Sequence, residues 1–269
     1  NLGTGAQVLD VVTGAELLNF PDLINTLTWR DDGSQIAGMV DLGNEIGQQV
    51  RVWYAASGAV INTYISSDPN LYWSDIQWSP DGSVLVGITA IPAALYVWSV
   101  STGELLNDPD AFAAEGSAYF DMWWSDNGQE LVTISRSVSS YGADSVLDLW
   151  NTTTWTPIDH VPLLGTARYA TKRPDAYEWA ILTWDSQIML WAIHGAEPLR
   201  SNSTHAQTAR LLAWSPDNQR LASATTLGGS VYLWDVATPE QIEAHVATVP
   251  YVGWNLDELR WSANSDVLI

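Results

Sequence analysis

The chain has 269 residues, 46% of them apolar, which is enough to bury a core and excludes a disordered chain. Thirty-one Asp and Glu face ten Lys and Arg, for a formal charge of -21. Nucleic acid is therefore not an expected partner, because neutralisation of phosphates by basic side chains dominates that affinity, and anionic membranes are disfavoured in the same way. Cysteine is absent, which removes disulfides, thiolate metal sites and thiol catalysis.

Depletion of bases describes the charge better than enrichment in acids, since Lys172 is the single lysine. Position 1 is not Met, and no signal peptide is visible at the amino end, so a processed product or an excised segment is expected. Sixteen Trp and ten Tyr against three Phe predict large rigid side chains packed in a core.

In chain order, residues 7–18 read as two short strands joined by a turn at Thr13-Gly14, with Leu9 where later copies carry Trp. A second kind of unit follows. Trp29-Arg30-Asp31-Asp32-Gly33 opens it, and it returns as Trp78-Ser79-Pro80-Asp81-Gly82, Trp124-Ser125-Asp126-Asn127-Gly128, Trp214-Ser215-Pro216-Asp217-Asn218 and Trp261-Ser262-Ala263-Asn264-Ser265, with a degraded copy starting at Lys172. An apolar residue stands two before most anchors (Leu27, Ile76, Met122, Leu212, Leu259), the spacing of one strand face. Pro presets φ in the turn, Asp or Asn tolerates turn geometry, and Gly or Asn supplies a positive φ at its end. The unit predicts a strand, a tight turn and a second strand.

The first kind of unit alternates with it, at 50–53, 95–106, 146–150, 188–191 and 231–239, each centred on Trp53, Trp98, Trp150, Trp191 or Trp234. Its β-branched and aromatic residues favour third and fourth strands. The stretch 82–103 carries no charge over twenty-two positions; Gly87 and Pro92 interrupt it, so it reads as two buried strands and a loop rather than a membrane span. Anchors at 29, 78, 124, 172, 214 and 261 give the period of a four-stranded propeller blade.

These units resemble the WD-repeat family of β-propellers over almost the whole chain. The naming dipeptide survives as Trp234-Asp235, whereas Trp53-Tyr54, Trp98-Ser99, Trp150-Asn151 and Trp191-Ala192 depart from it. The resemblance implies an all-β propeller of four-stranded antiparallel blades, one domain over 1–269. Six blades are expected, with the amino- and carboxy-terminal strands sharing one; a missing repeat would make seven. The family's structural network of His, Asp, Ser or Thr and Trp is matched in fragments, by His205 with Trp234 and by Asp185 with Trp191.

No dinucleotide, phosphate-loop, zincin or nucleophile-elbow motif occurs, and no cofactor is expected. The longest insertions, 41–49, 68–73, 107–117 and 136–145, join second to third or fourth to first strands and so share one rim. Tyr72, Trp73, Phe112 and Tyr141 lie in or beside them as candidate partner anchors, with Asp108, Asp110 and Glu115 as further candidate contacts. Those three carboxylates are also a candidate calcium loop, although their spacing matches no calcium motif. Three readings follow. The first is a non-catalytic interaction or structural scaffold for another protein. The second is a glycan- or peptide-active hydrolase or lyase using carboxylates in the central funnel, which two convergent carboxylates of raised pKa would favour. The third is a calcium-dependent binding module. Scarce lysine and absent cysteine suggest export to the cell surface or medium, of bacterial type, with the cytoplasm as the alternative.

Overall fold

The computed structural model describes residues 5–43, 47–65, 71–90, 93–107, 116–125, 127–138, 145–163, 165–174, 178–185, 187–192, 200–202, 209–225, 231–236, 243–245 and 259–265. Among them there is no helix, and the regular structure is strand throughout. Short antiparallel hairpins, which the alternating patterns and tight turns dictate, assemble into separate small sheets.

The first strands are β1 (Ala6–Leu9) and β2 (Glu16–Phe20), a two-stranded sheet. A four-stranded sheet follows in the order β3 (Leu23–Trp29), β4 (Gln35–Asp41), β5 (Gln48–Tyr54) and β6 (Val60–Ile65). Next come β7 (Trp73–Trp78), β8 (Val84–Thr89) and β9 (Leu95–Ser99), with a lone bridge from Trp98 to Leu105 in place of a fourth strand. β10 (Ser117–Trp124), β11 (Glu130–Ser137), β12 (Ser145–Asn151) and β13 (Thr156–Pro162) form another sheet. Two more contain β14 (Ala167–Lys172), β15 (Glu178–Thr183), β16 (Ile188–Ala192) and β17 (Arg200–Asn202), then β18 (Ala209–Trp214), β19 (Arg220–Thr225), β20 (Val231–Asp235) and β21 (Glu243–His245). The uncharged stretch 82–103 contains β8 and β9, the two buried strands expected of it. No helix of the described residues is long and apolar enough to cross a membrane.

Contacts divide the chain into two compact units, Asn1–Ser139 with Trp150–Thr156, and Ser140–Leu149 with Pro157–Ile269. In the first, β1 and β2 lay Val8 and Leu18 on a core of Phe20, Ile36, Val40 and Trp53. The carboxy-terminal strand expected beside them would fall on residues 266–269, outside the described residues. Strands β3, β7 and β10 are neighbours. The Trp78 indole N–H donates to the Thr28 carbonyl at 3.3 Å, and the Gln77 amide donates to the Met122 carbonyl at 2.7 Å.

The second unit repeats the device. The Trp214 indole donates to the Thr171 carbonyl at 3.2 Å and the Trp261 indole to the Ala213 carbonyl at 2.9 Å. Donor and acceptor occupy one repeat position each: an anchor Trp reaches the carbonyl just before the preceding anchor. Arginines complete the joint. Arg173 lies over the Trp214 ring at 5.1 Å, pairs with Glu178 and donates to the Asn218 carbonyl at 2.6 Å; Arg220 lies over Trp261 at 5.0 Å and donates to the Ser265 carbonyl.

The tight turns match their sequence signature. In the turn after Trp78, Ser79 and Ser83 hydroxyls both donate to Asp81 at 2.6 and 2.8 Å, and Gly82 closes it with φ 66°. Those bonds hold the Asp81 carboxyl below its usual range. Asn218 and Ser265 adopt φ 61° and 62° at the same repeat position, so Ser265 accepts a left-handed backbone that favours Gly.

Each third-strand Trp faces a second-strand position two residues beyond its direct partner. For Trp53, Trp98, Trp191 and Trp234 that position is Gly38, Gly87, Ile181 and Ser223, and the Trp150 indole reaches Thr133. Where a hydroxyl stands there, it accepts the indole N–H: Trp150 to Thr133 at 2.9 Å and Trp234 to Ser223 at 2.7 Å. Where glycine stands there, the ring fills the space instead. A Cβ on Gly87 would meet the Trp73 ring at 2.7 Å and the Trp98 ring at 3.1 Å. Gly87→Ala is therefore expected to cost about 1–2 kcal/mol from overpacking, measured by urea unfolding; an unchanged midpoint would mean the rings can move aside.

Candidate functional site

The first strand of each sheet after the β1–β2 pair carries the same irregularity. The register slips by one residue at Asn25, Ser74, Phe120, Arg168 and Arg210, four before the anchor in every case. An extra residue there bends the strand and re-aims the side chains that follow. In the first unit the next residue is Thr26 in β3, Asp75 in β7 and Asp121 in β10. Alternation turns Ile76, Trp78 and Met122 into the core, each buried, while Asp75, Gln77, Asp121 and Trp123 remain partly exposed on the other face.

Asp75 and Asp121 thus stand at one repeat position on neighbouring strands. The strands are tied on both sides of the pair, by the Ser74 hydroxyl donating to the Tyr119 carbonyl at 2.7 Å and by Gln77 to Met122. Asp75 accepts from the Ile76 N–H at 2.9 Å and the Gln77 amide at 3.0 Å; Asp121 accepts from the Met122 N–H at 3.0 Å. Surrounding protein outweighs these bonds. Desolvation pushes Asp75 up to about 6. Desolvation first, and the Asp75 charge second, push Asp121 well above the usual carboxylate range. Two coupled carboxyls that retain some access to solvent can hold a proton near neutral pH and exchange it with a bound group. The signal for this pair in the sequence is the repeat alignment, since both acids stand three residues before Trp78 and Trp124.

A second titratable pair lies in the other unit. Asp148 of β12 is 8% exposed and contacts Nδ1 of His160 of β13 at 2.6 Å. Burial raises the Asp148 carboxyl, and the hydrogen bond and charge of His160 oppose the shift. The imidazole itself is exposed. Among the described residues no three His, Asp or Glu gather as a metal site.

The sequence-predicted rim residues fare differently. Tyr72 is 59% exposed just before β7. Trp73 is 6% exposed, with its ring 4.9 Å from Tyr96 and 5.4 Å from Trp98, so it is a core side chain. Asp108, Asp110, Phe112, Glu115 and Tyr141 lie outside the described residues, as does His205 of the expected network. Trp234 has its hydroxyl partner in Ser223. Asp185 accepts from the Thr183 hydroxyl, whereas the Trp191 indole nitrogen has no hydrogen-bond partner among the described residues.

Sequence reasoning misses one rim feature. Trp184, in the turn between β15 and β16, is 52% exposed, and the guanidinium of bulge residue Arg168 covers one ring face at 4.4 Å. The preceding sheet has the mirror pairing, with bulge residue Phe120 under Arg136 at 5.3 Å. Neither the protein-family models nor the curated proteins contain a match to this chain.

Proposed function

We propose that the protein is a non-catalytic binding module, a WD-repeat-like propeller of six four-stranded blades whose second-to-third and fourth-to-first strand connections present contact residues to another protein. The single observation that carries this reading is the Trp184–Arg168 stack. A half-exposed indole held flat by a guanidinium loses little freedom on binding, and Trp and Arg are among the side chains most enriched at binding hot spots. Tyr72 adds an exposed aromatic on another such connection. Ring closure by a shared terminal blade would remove the open edge of the β1–β2 sheet.

The test is site-specific photo-cross-linking in extracts of the native source. Benzoylphenylalanine at position 72 or 184 is expected to capture one common protein, and the same group at Leu17, exposed on the β1–β2 sheet, is expected to capture none. Capture from position 17 alone would overturn the rim.

The carboxylate pair favours a second reading, a hydrolase or lyase acting on a glycan or peptide. Raised and coupled pKa values are characteristic of general acid–base sites. Under this reading either Asp75→Asn or Asp121→Asn abolishes turnover of a glycan or peptide substrate, whereas Trp184→Ala leaves it unchanged.

A further inference from the structure

The hairpin that carries Trp184 is tied at both ends. The Trp184 N–H donates to the Thr166 carbonyl at 3.0 Å, and across the turn the Thr183 N–H donates to the Gln187 carbonyl at 2.9 Å while the Gln187 N–H donates to the Thr183 hydroxyl at 3.0 Å. That hydroxyl in turn donates to Asp185. Trp184 and Asp185 are neighbours in the chain and both exposed, so an indole and a carboxylate are offered together by a turn that binding need not order.

The two ring faces differ. Arg168 covers one at 4.4 Å from the centroid, and with that face occupied an exposure of 52% leaves the other to solvent. An indole face attracts cations through its quadrupole. The Asp185 carboxylate beside it adds an acceptor that suits a planar guanidinium, which stacks on a ring and hydrogen-bonds a carboxylate at its edge. Arg168 and Asp185 offset each other in charge, and the chain as a whole stands at -21, so its long-range field draws a basic group and repels an acidic one.

We propose that the partner presents an arginine to this turn, its guanidinium stacked on the open face of Trp184 and paired with Asp185, so that the indole is held between two guanidiniums. The partner is thus a basic protein segment. This rests on the interaction reading above and adds the chemistry of the contact. A proline or a sugar ring would cover the indole and leave Asp185 without a charged partner. Lysine would meet Asp185 as a point charge without the planar stack.

The probe is a glycine pentapeptide with arginine at its second and fourth positions, blocked at both ends, added to the full chain labelled with fluorotryptophan. Beside it runs the same peptide carrying citrulline, which keeps the shape of arginine without the charge. Fluorine NMR reads the Trp184 resonance, identified by its loss in Trp184→Phe, and follows weak binding. The arginine peptide is expected to shift that resonance to saturation with an affinity about tenfold above that of the citrulline peptide. Asp185→Asn should weaken the arginine peptide about fivefold, whereas Asp32→Asn, which removes the same charge at another exposed turn, should leave its affinity unchanged. Equal affinity of the two peptides overturns the proposal. Equal weakening by Asp185→Asn and Asp32→Asn overturns it as well, since that marks diffuse attraction to an acidic chain. Capture of a protein from position 184 with the Trp184 resonance unmoved by the arginine peptide overturns it and leaves the interaction reading standing.

Discussion

Trp234→Ala is expected to lower the unfolding free energy by about 3–5 kcal/mol, the usual cost of truncating a buried tryptophan. The ring is 1% exposed and lies among Leu182, Leu190, Leu212 and Leu221. Beta-sheet packing gives the cavity little scope to collapse, because the two flanking strands are fixed in register with Leu221 and Ala244. The hydrogen bond to Ser223 contributes less. Ser223→Ala is expected to cost about 1–2 kcal/mol, since it removes the hydroxyl that accepts from a buried indole N–H. Trp234→Phe removes the donor of the same bond, so the double variant Trp234→Phe/Ser223→Ala should cost less than the sum of its parts. Urea unfolding of the four proteins measures this. Strict additivity would show that the 2.7 Å contact carries no coupling.

The second expectation runs the other way: Asp75→Asn and Asp121→Asn should stabilise the protein above neutral pH. Both carboxyls are raised in the folded state, so folding favours their protonated forms. For such a group the stabilising contribution is complete below the unfolded pKa, near 3.9, and is lost as pH rises through the folded value. For Asp75 that window runs from about 4 to about 6, and Asp121 extends it upward. At pH 7.5 the ionised Asp75 carboxylate opposes folding by about 1–3 kcal/mol, reduced by residual solvent contact, and the raised Asp121 acts in the same direction. Asparagine keeps the oxygen that accepts from the Ile76 or Met122 N–H and carries no charge. The expected result is a thermal midpoint equal to the native protein's at pH 4 and higher at pH 7.5. A lower midpoint at pH 7.5 would show that the ionised pair is stabilised by something other than the groups described.

Much of the architecture is legible in the order of residues. Five copies of an anchor, turn and apolar spacing align by eye, and they locate the tight turns to the residue, including the positive φ at Gly82 and Asn218. Trp73 shows the limit of such reading. It stands at the end of a loop and reads as a surface anchor, yet it begins β7, and the absence of a side chain at Gly87 makes room for its ring. Glycine at that position is a packing decision made across strands, which no local window contains.

Asp75 and Asp121 illustrate the same divide. Their place three residues before an anchor is written in the chain, but their coupling depends on two strands forty-six residues apart being neighbours. Trp184 and Arg168 likewise meet because a bulge turns one toward a hairpin end that holds the other.

The order of residues was sufficient for the strand-turn-strand unit and its repetition, because these follow from φ preferences and a period of two that act over a few residues. Which charges lose their water and which indole N–H finds a hydroxyl were settled by tertiary packing, since desolvation and hydrogen-bond geometry are properties of groups distant along the chain and adjacent in space.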